Sequence, residues 1–139
     1  MPAIKGVLET AIYVDDLARA RAFYGHVLEL RPMHEDGRMS AYDVGPGSAF
    51  LVFERGASNH RTVLPGGAIP AHDGRGPLHF AFAIPRAALA AWEAHLARHN
   101  VTIEDRVSWP RGGISIYFRD PDGHLVELAT PGLWPNDGA

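Results

Sequence analysis

The sequence predicts an α+β fold built from two β-α-β-β-β modules, on three observations. Residues 39 to 53 (MSAYDVGPGSAFLVF) and 114 to 128 (ISIYFRDPDGHLVEL) repeat one pattern at a shift of 75, which sets Ser40 on Ser115, Tyr42 on Tyr117 and Val52 on Glu127. At a shift of 70, LETAIYV (8 to 14) lies over LHFAFAI (78 to 84), and Glu9 falls on His79. Each half also gives one strand-period run, one helix-period run and three further strand runs. A duplicated unit tends to pack about a pseudo-twofold axis, so related strand positions are expected to converge on one cleft.

In the first module, about 6 to 54, Val7 to Val14 reads as a strand. Asp15 or Asp16 then caps a helix to about Leu28, with an apolar stripe of Leu17, Ala20, Tyr24, Val27 and Leu28. Strands near 30 to 35 and 38 to 44 are joined by Asp36-Gly37, a hairpin signal, and a fourth follows near 49 to 54. Residues 55 to 77 lose all periodicity and hold many Gly and Pro, which predicts a long connecting loop of the kind that often serves as a lid. The second module, about 78 to 130, repeats the order. It has a strand at 78 to 84, a helix from about Pro85 to His99, and strands near 101 to 107, 113 to 119 and 124 to 129. Pro121-Asp122-Gly123 makes the last tight turn, and the tail carries Trp134 back onto the body.

A chain of 139 residues suits one domain, 1 to 139, with two halves. With 13 basic and 16 acidic residues and no Lys/Arg run, it has no nucleic-acid footprint, and small-molecule partners are expected. The absence of cysteine restricts any metal site to His, Asp, Glu or backbone oxygen. No stretch approaches 18 apolar residues, and the N-terminus lacks a signal pattern, so a soluble cytoplasmic protein without membrane contact is expected.

Alternation along the two first strands leaves Glu9, Ala11 and Tyr13, and likewise His79, Ala81 and Ala83, on one face. Thr10, Ile12, Val14 and Phe80, Phe82, Ile84 form the other, the expected helix-covered core. The first face, small residues plus one ionisable group, reads as a cavity wall. The segments LETAIYVDDLARARAFYGHVLEL, GPLHFAFAI and SIYFRDPDGHLVELATP together resemble the vicinal oxygen chelate superfamily, which includes glyoxalase I, fosfomycin-resistance enzymes, extradiol dioxygenases and bleomycin-resistance proteins. The resemblance implies an open, cup-like mixed sheet around a divalent metal, in a homodimer. It implies Glu9, His79 and Glu127 as ligands of Zn, Ni, Mn, Fe, Co or Mg. Similar enzymes place His, or Gln, where this chain has Glu9, so this site is harder and more anionic than the ring-cleaving iron triad. A fourth ligand used by glyoxalase I falls at Val52, which cannot bind metal, and a three-ligand site with open positions is implied.

Other candidates are local. Tyr13 shares the face of Glu9, and a phenol there donates to a substrate oxygen; Tyr42 and Tyr117 lie on later strands. Trp109 and Arg111, in the turn between two strands, offer a stacking face and a guanidinium. Asn59, His60, Arg61, His72 and Arg75 place donors on the long loop, with Arg61 a candidate substrate contact. His26, His95, His99 and His124 read as structural or solvated. The expected function is a metal-dependent lyase, isomerase, transferase or dioxygenase acting on a substrate that chelates through vicinal oxygens, with Glu127 and Tyr13 as catalytic groups. The alternative is a metal-free protein that sequesters a drug or natural product, as bleomycin-resistance members do.

Overall fold

A computed structural model describes residues 1 to 138 and divides the chain into two compact units, Met1–Gly76 and Pro77–Ala139. In the first unit β1 (Glu9–Val14) leads into α1 (Leu17–Ala22), whose first turn is capped by the Asp16 carboxylate accepting from Arg19 N at 3.0 Å. The helix then widens into a π turn, Phe23–Val27, closed by Leu28 N donating to Phe23 O at 3.1 Å. That extra residue per turn lets both Phe23 and Tyr24 face inward. Strands β2 (Arg31–Glu35), β3 (Met39–Asp43) and β4 (Ala49–Glu54) complete a four-stranded sheet of order β1-β4-β3-β2. Its helix-covered core centres on Tyr24, Tyr42 and Phe50, with ring centroids 5.2 Å apart for Tyr24 and Phe50.

The segment expected to be a bare loop contains a small hairpin, β5 (Thr62–Leu64) and β6 (Gly67–Ile69). Its turn is Pro65-Gly66, a pairing of fixed φ and permissive backbone that closes strands too short to show a period. In the second unit β7 (His79–Ala83), α2 (Leu89–Arg98), β8 (Asp105–Ser108), β9 (Ile114–Arg119) and β10 (Leu125–Ala129) give the order β7-β10-β9-β8. In both sheets the first strand runs parallel to the last and the rest are antiparallel, so the duplicated topology is real. The strand expected from 101 starts only at Asp105, because Asn100 turns the chain at φ 58 and Val101 N still bonds Leu96 O at 2.9 Å.

The ladders correct one detail of the repeat. Leu51 pairs with Ala11 and Ala41, as Glu127 pairs with Ala81 and Tyr117, so the structural counterpart of Glu127 is Leu51 and not Val52. Val52 pairs with Ile12 and is buried with it on the helix side. Side chains alternate along a strand, so a one-residue offset exchanges the two faces. The same offset separates Tyr42, in the helix-side core, from Tyr117, and Ser40, which accepts from Arg21 of α1, from Ser115, which donates to Glu127. Leu51 is as unable to bind metal as Val52, so no fourth ligand arises there. The tail also differs from expectation: Trp134 is 68% exposed, and the segment docks through Gly132 and Leu133 against Gly113. The Asp137 carboxylate holds that turn by accepting from the backbone N–H groups of Gly132, Leu133 and Trp134.

Candidate functional site

The DPDGH turn of the second unit sets the register of everything after it. Asp120 Oδ1 accepts from Asp122 N at 2.9 Å and His124 N at 2.8 Å, which folds the turn and starts β10 opposite β7. The buried His124 ring accepts from Leu78 N at 2.9 Å, tying the residue before His79 to the same turn. His124 is thus structural, and Leu125 comes to lie opposite His79. Glu127, two residues on, shares the face of His79.

On that face four groups converge. Glu127 is buried to 5% exposure, a costly place for a carboxylate without partners. Its Oε2 accepts from Ser115 Oγ at 2.5 Å, and its Oε1 stands 3.2 Å from His79 Nε2. His79 Nδ1 lies 3.0 Å from the Leu125 carbonyl, which can only accept, so Nδ1 carries a proton and Nε2 is the ring nitrogen turned to Glu127. Tyr117, beside the His79 ring at 6.3 Å, interacts with both Ser115 and Glu127. Burial, and then the Glu127 charge, push its phenol above the usual value, so it remains a proton donor. Trp109, half-buried, donates its indole N–H to Ser115 Oγ at 2.8 Å.

Of the residues anticipated from the sequence, His79, Glu127, Tyr117 and Trp109 come together here, while Arg111 is exposed in the turn between β8 and β9. Glu9, Tyr13 and Arg61 belong to the first unit, where Glu9 opens β1 in an exposed position and Arg61 is exposed just before β5. Tyr13 lies four residues beyond Glu9, about 13 Å along the strand. Its hydroxyl meets His72 Nδ1 at 2.8 Å, and Gly74 lies so close to the ring that a Cβ there would be 2.6 Å from it. Burial first, then the Asp73 charge, raise the Tyr13 phenol. Around it Met39, Ala41, Leu51 and Phe53 form a buried apolar cluster with Ala11 and Ala49. Ser115 was not among the site residues read from the sequence, although a Ser two positions before Tyr117 shares its face by strand period alone. Among the described residues no group of three or more His, Cys, Asp or Glu is arranged to hold a metal ion. No helix among them is long and apolar enough to cross a membrane.

Known proteins match this chain along most of its length. It is 29% identical over 128 residues to the metallothiol transferase FosB of Staphylococcus saprophyticus, covering 91% of this chain and 78% of that one. The crystal structure of a lactoylglutathione lyase from Agrobacterium tumefaciens superposes with a TM-score of 0.86 at 30% identity, covering 96% and 99% of the two chains. The fosfomycin resistance protein FosX of Mesorhizobium loti shares the fold at a TM-score of 0.65 and 24% identity, covering 94% and 96%. A family model spans residues 6–128, and by that match the chain belongs to the Glyoxalase/Bleomycin resistance protein/Dioxygenase superfamily.

Proposed function

We propose that this chain is a metal-dependent enzyme acting on a small substrate with two neighbouring oxygens, by lyase, isomerase or group-transfer chemistry that involves a thiol. The observation that carries the reading is the His79–Glu127 pair. An imidazole whose Nδ1 proton is committed to Leu125 holds its Nε2 3.2 Å from a buried carboxylate oxygen. An imidazole nitrogen and a carboxylate oxygen held this close suit a shared cation, and a metal-ligating His commonly donates its other ring N–H to a backbone carbonyl. The donor chemistry, one imidazole nitrogen and carboxylate oxygen, fits a divalent ion such as Zn, Ni, Mn, Fe, Co or Mg. Glu9 is the position in β1 that corresponds to His79, since it opens β1 opposite Ala49 as His79 opens β7 opposite Leu125.

When bound, such an ion polarises substrate oxygens. The chain's own residues do the rest. Ser115 holds Glu127, Tyr117 offers a protonated phenol on the same face, and the Trp109 ring borders it. Arg111 is an exposed cation suited to an anionic part of the substrate. Thiol chemistry is favoured over ring cleavage because the two relatives near 30% identity are a lactoylglutathione lyase and a metallothiol transferase, and because Glu9 departs from the iron triad. A homodimer is also proposed, since each four-stranded sheet ends in two edge strands, β1 and β2 or β7 and β8, that pairing would cover.

The test is metal analysis of protein purified without chelator, followed by assays with a dicarbonyl plus thiol, an epoxide plus thiol, and a catechol. A bound divalent ion is expected, with turnover of one thiol-containing pair that is lost on chelation and in Glu127→Gln. Metal-free protein that still binds an apolar ligand tightly would replace this reading with a sequestering protein.

A further inference from the structure

The geometry points to Trp109 and Ser115 as positioning residues that decide which oxygen of Glu127 meets a ligand, an inference that rests on the metal reading above. The argument is one of hydrogen-bond polarity. An indole N–H donates and never accepts, so Trp109 Nε1 at 2.8 Å occupies a lone pair of Ser115 Oγ. Ser115 has a single proton, and it goes to Glu127 Oε2 at 2.5 Å. Donation from Trp109 therefore passes through Ser115 to the carboxylate, in a site where Ser115 is fully buried and Tyr117 contacts both Ser115 and Glu127.

Two consequences follow from that direction. Oε2 is engaged by a short, charge-assisted bond to Ser115, and Oε1 is the atom that faces His79 Nε2 at 3.2 Å, so a cation shared with that imidazole would meet Oε1. The orientation of the carboxylate also depends on the β8–β9 turn, where Trp109 N donates to Gly113 O at 2.8 Å and Gly112 N to Trp109 O at 2.9 Å. Gly113 is itself wedged against Gly132 and Leu133, where a Cβ would sit 2.8 and 2.6 Å away, so the turn that aims the indole is fixed from behind.

The first experiment needs no metal. In 15N-labelled, chelator-stripped protein, the Trp109 indole N–H resonance is expected to be protected from exchange, to lose that protection in Ser115→Ala, to keep it in Ser115→Thr, and to move in Glu127→Gln. Trp92 and Trp134 serve as internal controls. A Trp109 indole indifferent to Ser115→Ala overturns the proposal whatever the metal does. The second experiment titrates the same stripped protein with Mn(II), Co(II) and Zn(II). Ser115→Ala and Trp109→Phe are each expected to weaken binding about 10–100-fold. Because they act in series, the double variant should bind no more weakly than Ser115→Ala; additive losses would overturn the tether. A wild type that binds none of the three ions, with the indole behaving as expected, sinks the metal reading and leaves the positioning of Glu127 standing.

Discussion

In the first unit the positions equivalent to Ala81, Tyr117 and Glu127 hold Ala11, Ala41 and Leu51, and they lie with Met39 and Phe53 in an apolar cluster beside Tyr13 and His72. In the second unit the same face holds His79, Ser115, Tyr117 and Glu127 joined by polar contacts. Topology and ladder register are shared, so neither explains the difference. Side-chain identity at a few inward positions does, and a repeated scaffold can keep one face as core while the other gathers chemistry.

Exchanging residues between the two faces tests this contrast directly. Leu51→Glu places a carboxylate where its apolar neighbours supply no partner, and a loss of about 3–5 kcal/mol is expected in urea denaturation near pH 7. The deficit should shrink as pH falls toward the ordinary Glu value of about 4.3, because the face tolerates the neutral acid better. A variant as stable as wild type at pH 7 would mean that this face is wet, and the comparison would fail.

Gly74→Ala drives a methyl into the Tyr13 ring and should cost about 1–3 kcal/mol by the same measurement. No cost would show that the segment slides freely over the ring. Glu127→Leu, which makes the second face resemble the first, should change stability by only about 1–2 kcal/mol, since the loss of a buried charge offsets the loss of its hydrogen bonds. Divalent-ion uptake should nevertheless vanish in that variant. Retained uptake would remove Glu127 from the metal reading.

The smallest effect lies at high pH. Tyr13, Tyr42 and Tyr117 all have phenol pKa values raised above 10.0, with burial the leading cause in each. Their folded values exceed their unfolded ones, so the stability they contribute is complete below about pH 10 and is lost as pH rises through the raised values. Absorbance titration near 295 nm is expected to show Tyr13, Tyr42 and Tyr117 ionising late, and a single unshifted transition would contradict it.

The element order was legible because both periods survive in the sequence, and His79 and Glu127 were legible because their strands alternate cleanly. The offset at Val52 was not. Identity between the repeats is highest one residue away from the true ladder, since the matching Ser and Tyr residues serve opposite faces, and backbone pairing leaves no mark on residue type. The β5–β6 hairpin was hidden because three-residue strands carry no period. Ser115 stands out in the sequence only as a repeat match to Ser40, and strand period assigns Tyr13 to a face without fixing its distance along the strand. The exposure of Trp134 follows from the three backbone amides gathered by Asp137, which hydrophobicity alone does not foretell.

The contact of residues 72 to 74 with the first sheet has a consequence in time. His72 reaches Tyr13 and stacks edge-on to Phe53 at 4.7 Å, its N–H donates to Ser58 O at 2.8 Å, and Ser58 in turn accepts from Arg38. These few contacts end a segment whose hairpin exposes Val63 and Leu64 to solvent, so it can detach at a fraction of the global unfolding free energy. Amide hydrogens of β5 and β6 should then exchange well before those of β3 and β4. Each such opening uncovers Phe53 and its apolar neighbours, so the first unit reaches solvent in brief excursions, whereas the second keeps its polar face by way of a fixed turn.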